Sequence, residues 1–129
     1  VLQRQRAEIV AAAHVMGGRH HDAATAYGAL VRARPDEARL RLAYVEALLA
    51  AREFGAACAE ADQLKGRGLG ARDVGLPSAR ACMQAGNAEA ALAWLTTIPA
   101  RFMPPSIKDE AVFAPLRARA EFQALFAGR

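Results

Sequence analysis

The sequence predicts an all-α chain folded as a stacked array of helical hairpins, and three observations carry the prediction. The stretch from Gly18 to Pro35, GRHHDAATAYGALVRARP, places Ala23, Tyr27 and Leu30 on one side of a helix, with Gly18 and Pro35 punctuating its ends. Shifted by 34 residues, the same grammar returns as Phe54, Ala57, Ala61 and Leu64, and a second shift gives Ala88, Ala91, Leu95 and Ile98. Aromatic residues make up only 6% of the chain and alanine is abundant, which favours close helix packing through small side chains over a sheet of β-branched residues.

Taken in order, residues 3–17 give a first helix whose stripe holds Arg6, Val10, Ala13 and Gly17, ended by Gly17 and Gly18, since glycine takes a left-handed C-cap without steric cost. Its partner runs from about His20 to Arg34, with Asp22 suiting the positive end of the helix dipole. Pro35 stops that helix. Residues 36–51 follow with apolar side chains nearly all round, so this helix is expected to be covered on both sides. The next helix, from about Glu53 to Lys65, ends in KGRGLGARDVGLP, whose glycines break the periodicity. Asp73 is expected to cap the fifth helix, with Pro77 near its N-terminus, and this helix should be the shortest of the first helices. A sixth spans about Asn87 to Ile98 with Asn87 as its cap. After the connector RFMPPS, the tail residues Phe113, Leu116, Phe122, Leu125 and Phe126 are expected to cover the last hairpin around Leu92 and Leu95.

A chain of 129 residues with 53% hydrophobic content buries one core and is too short for two ordinary domains. No apolar run approaches the roughly 20 residues of a membrane span. The net charge of +4 comes from 15 Arg against 2 Lys, scattered from Arg4 to Arg129 without a basic run, so no nucleic-acid partner is expected. Residue 1 is Val1 and there is no initiator Met, so a trimmed or processed chain is expected, in which any targeting segment would be invisible. The compartment stays open between bacterial cytoplasm and periplasm.

A 34-residue period of helix hairpins resembles the tetratricopeptide repeat family. In the first repeat Val10, Ala11, Gly18, Ala23, Tyr27 and Pro35 match its motif; the second keeps Phe54, Ala57 and Leu64 but has Arg52 at the turn glycine; the third has Gly86, Ala91 and Leu95, with Pro77 as a departure. The segment around Asp109, Phe113, Leu116-Arg117 and Phe122 is similar to the end of many bacterial arrays of this family. The resemblance implies a right-handed α-solenoid of three hairpins, about 4–37, 38–71 and 72–105, with a C-terminal capping helix in the tail 106–129. It also implies that the first helix of each hairpin lines a concave groove. On that carry-over the groove presents Gln5, Ala12 and Met16, then Arg39, Leu42, Glu46 and Leu49, then Arg80, Met83 and Gln84. Leu42, Leu49 and Met83 are the expected apolar surplus, flanked by Arg39 and Arg80. The clamp with which some members grip a terminal carboxylate is missing, since Glu8, Ala12, Arg39, Ala43 and Pro77 occupy its places. A mixed apolar and basic groove suits a helix or extended peptide with apolar anchors and some acidic residues.

His14, His20 and His21 have only Asp22 near them in the sequence, so inward-packed histidines are expected in place of a metal site. Cys58 and Cys82 fall on successive helices; buried free thiols are the expected state and a disulfide the alternative. KGRGLG lacks the strand and the Gly-Lys-Ser/Thr ending of a phosphate loop, and no nucleophile, base and acid share a telling spacing. The expected function is therefore a non-enzymatic module without cofactors that binds a protein or peptide partner. The alternatives are an accessory region of a larger bacterial enzyme or envelope assembly protein, and self-association through apolar faces.

Overall fold

The computed structural model describes residues 2–127, apart from the side chains of Leu2 and Arg4; Gly128 and Arg129 of the expected tail lie outside the described residues. Every regular element among them is helical. The chain runs through α1 (Leu2–Met16), α2 (His20–Ala33), α3 (Ala38–Ala50), α4 (Phe54–Gly66), α5 (Ala71–Gln84) and α6 (Ala88–Thr97). Three 3-10 turns follow at Ala100–Phe102, Pro105–Asp109 and Ala111–Leu116, and then α7 (Ala120–Ala124). Each of the first five helices packs on the next, and α3 also touches α5. Connections of three or four residues oblige consecutive helices to fold back on one another.

The turns after α1, α3 and α5 share one geometry. Gly18, Arg52 and Gly86 recur at the 34-residue interval with φ of 73°, 60° and 81°. The next amide then donates to the carbonyl five residues back: Arg19 to His14 at 2.9 Å, Glu53 to Leu48 at 3.0 Å and Asn87 to Cys82 at 2.8 Å. These bonds satisfy carbonyls that the helix end leaves over. Arg52 does without glycine's freedom at a cost of about 1 kcal/mol, which its guanidinium offsets in part by lying 5.2 Å from the Phe54 ring centroid.

Burial repeats at the same interval. Ala11, Val45 and Ala79 on α1, α3 and α5 are fully buried, as are Ala23, Ala57 and Ala91 on α2, α4 and α6. Side chains this small let backbones approach closely. At Gly28 of α2 even a methyl would crowd, since a Cβ there would lie 3.2 Å from the Tyr44 ring of α3. Helix α3 buries Leu40, Val45, Ala47 and Leu48 and half-buries Leu42, Tyr44 and Leu49 between its neighbours. It also buries Arg41, whose guanidinium donates to Glu60 of α4 at 2.6 Å and to the Pro35 carbonyl at 3.3 Å. A charge so enclosed is tolerated because it is paired.

Asn87 caps α6 as the sequence suggests, accepting from the Ala90 amide at 3.1 Å, but three other features depart from expectation. Helix α5 starts before Asp73: Gly70, with φ of 88°, turns the chain into the helix, so Asp73 lies in the first turn and Pro77 in the interior. At 14 residues α5 is longer than α3, with 13. The tail is not one capping helix. Pro104, Pro105 and Pro115 supply no amide donor and break it into 3-10 turns and the five-residue α7. It still covers the last hairpin, burying Phe113, Leu116 and Phe122 together with Met103 and Ile107 against Leu92, Trp94 and Leu95. Finally, Cys58 and Cys82 are joined in a disulfide between α4 and α5, across 24 residues of sequence, and are not free thiols.

Candidate partner-binding face

The ten residues assigned to the groove lie on α1, α3 and α5, and the structure separates them by their surroundings. Ala12 and Met16 of α1 and Glu46 of α3 line one cleft of about 330 Å³, together with Val15, His20, Tyr27, Ala43, Ala47 and Ala50. The lining is largely apolar and open to solvent: Met16 is 89% exposed and Val15 46%. Leu42, Leu49 and Met83 are instead half-buried and packed on the main core, so the apolar surplus expected at these three is largely covered by the chain itself. Among α1, α3 and α5, the large apolar side chains left bare are on α1. Gln5 and Gln84 are exposed and line none of the cleft. His20, expected to point inward, is exposed because it is the first residue of α2, where no preceding turn covers it. His14 is half-buried and accepts from the Arg19 guanidinium at 3.0 Å.

The arginines of this face are engaged by the chain. Arg80 donates from two nitrogens to the two carboxylate oxygens of Glu110, at 2.9 and 2.8 Å, so the tail reaches back onto α5. Those bonds hold the Glu110 carboxyl below the usual glutamate range and push Arg80 up. Arg39 lies 2.9 Å from Glu8 and 3.5 Å from Glu37. Arg34 also donates to Glu8, at 3.0 Å. Hydrogen bonds from Arg34 and Arg39 hold the Glu8 carboxyl low.

Glu46 behaves in the opposite way. Burial raises its proton affinity, and the negative charge of Asp73 on α5 raises it further. Among the described residues, neither Glu46 nor Asp73 has a cation or hydrogen-bond donor on its carboxylate. Arg39 and Arg80 are thus paired with internal acids, whereas Glu46, the carboxylate that lines the cleft, has no such partner; Asp73, which acts on it from α5, lines a separate cleft with Arg72 and Arg101. The sequence reading gives Asp73 a capping role alone, although a shift of 34 residues puts it in register with Arg39 and Gln5.

Among the described residues no group of three or more His, Cys, Asp or Glu side chains converges on a metal-sized site, and no helix is long and apolar enough to cross a membrane. Set against family models, curated proteins and solved structures, the chain shows no significant match to any of them.

Proposed function

We propose that the chain is a non-enzymatic binding module: a right-handed α-solenoid of three tetratricopeptide-like hairpins that holds a segment of a partner polypeptide in a groove lined by α1, α3 and α5. The recurrence at 34 residues of the left-handed turn residue and of the buried small side chains supports the repeat reading. The contact between α3 and α5 supports a shared lining of first helices. The observation that carries the binding role is the apolar cleft between α1, α2 and α3, open to solvent with Met16 at its edge. Apolar clefts of this size, rimmed by few polar groups, suit the anchoring side chains of a peptide or helix.

Selection of random displayed peptides on the immobilised chain tests the proposal. Binders are expected to lose their affinity for Met16→Arg, a variant whose melting temperature stays unchanged because the side chain it replaces is exposed. Binders that hold Met16→Arg equally well would remove the cleft from the account. Pairing of two copies through α1 is a second reading, favoured by Ile9, which is 66% exposed, and by the exposed Val10. Light scattering that shows a monomer at high concentration dismisses it.

A further inference from the structure

The cleft has an electrostatic requirement as well as an apolar one. Any segment that covers Met16 and Val15 also withdraws water from Glu46, which lines the same cleft. Removing water from an ionised carboxylate is costly unless a cation comes with the incoming group. The chain's own cations do not meet that need, since Arg39 is held by Glu8 and Glu37, and Arg80 by Glu110. Asp73 of α5 acts electrostatically on Glu46 but lines a different cleft, with Arg72 and Arg101, so Glu46 is the carboxylate that a segment in this cleft would cover. His20, the remaining polar group of the lining, is not hydrogen-bonded to Glu46.

We propose, building on the binding role above, that the partner segment carries a lysine or arginine beside its apolar anchors and that Glu46 receives it. The same carboxylate turns away acidic segments by repulsion and uncharged ones by desolvation, so selectivity comes as much from the penalty on wrong partners as from attraction to the right one. The requirement is local. It holds on a chain of net charge +4, because the pairing of Arg39 and Arg80 removes nearby positive charge from this face.

Peptides selected from the random displayed library on the unaltered chain are expected to be enriched in Lys or Arg next to Leu, Met or Val. Replacing the basic residue of a selected peptide by norleucine should weaken binding about tenfold or more, the order seen for desolvated charge pairs. The variant Glu46→Gln should show the same loss with the basic peptide and no further loss with the norleucine peptide, while its circular dichroism melt stays close to that of the parent. Equal binding of the two peptides to the parent chain, or enrichment of acidic sequences, overturns the inference; if Met16→Arg still abolishes binding in that case, the cleft remains the binding site and only its charge preference is lost. If no peptide is selected, or none responds to Met16→Arg, the groove reading fails and this inference with it.

Discussion

The two ends of one helical face have been finished differently. Around α5 the chain supplies its own cover: Phe113, Leu116 and Phe122 lie in the core with Leu92 and Trp94, and Glu110 closes on Arg80. Around α1 no comparable cover is laid down among the described residues, and Val15 and Met16 face solvent beside an unpaired Glu46. Both regions are built from helices of the same spacing and similar composition. The difference between them is whether a later stretch of chain returns to cover them. Downstream segments thus decide whether an amphipathic helix becomes core or docking surface, and its own periodicity does not.

That contrast can be broken most sharply at Phe113. Truncation of this fully buried ring by Phe113→Ala should lower unfolding stability by about 3–5 kcal/mol in urea titration, against less than about 0.5 kcal/mol for Met16→Ala on the bare end. A Phe113→Ala loss below about 1 kcal/mol would mean that the tail is not part of the cooperative unit. Next in size is the bridge between Cys58 and Cys82. Replacing both by serine should cost about 3 kcal/mol, from the chain entropy that a 24-residue separation restores to the unfolded state. Reductant should destabilise the parent by a similar amount and leave the double variant unmoved.

The smallest effects distinguish the two ends by pH. Glu110 has a depressed folded pKa, so its contribution is fully present above the ordinary glutamate pKa and is lost as pH falls through the lower folded value. Glu46 has a raised folded pKa, so its contribution is fully present below the ordinary value and is lost as pH rises through the folded one. At neutral pH, Glu110→Gln should therefore destabilise and Glu46→Gln stabilise, each by less than about 1 kcal/mol after solvent screening. On acidification both differences should close, that of Glu46 first. Denaturation midpoints measured across pH 3–7, roughly the range in which glutamates titrate in proteins, give both signs in one series.

Much of the helical arrangement is legible in the residues because its determinants are local. Gly18 and Gly86 mark turns by the one conformation that glycine takes cheaply, and Ala23, Ala57 and Ala91 mark close packing by their size. The start of α5 is harder to read, because Asp73 is a good cap in isolation whereas Gly70 turns the chain earlier. The broken tail is written in Pro104, Pro105 and Pro115, whose missing donors outweigh the apolar spacing around Phe113. The state of the candidate face is less legible. Arg80 meets Glu110 across 30 residues and Arg39 meets Glu8 across 31, and long flexible side chains leave no periodic trace of such pairings. The disulfide likewise depends on where α4 and α5 meet, which the spacing of two cysteines does not state.

The covalent tie between α4 and α5 also sets how the molecule responds to tension. A force applied between the two termini passes through the sulfur bridge and bypasses the loop between the two cysteines, 24 positions apart, withholding about 80 Å of contour from extension at some 3.4 Å per residue. Stretching can unspool α1 to α3 from one side and α6 with the tail from the other, while the joint between α4 and α5 stays fastened until it is reduced.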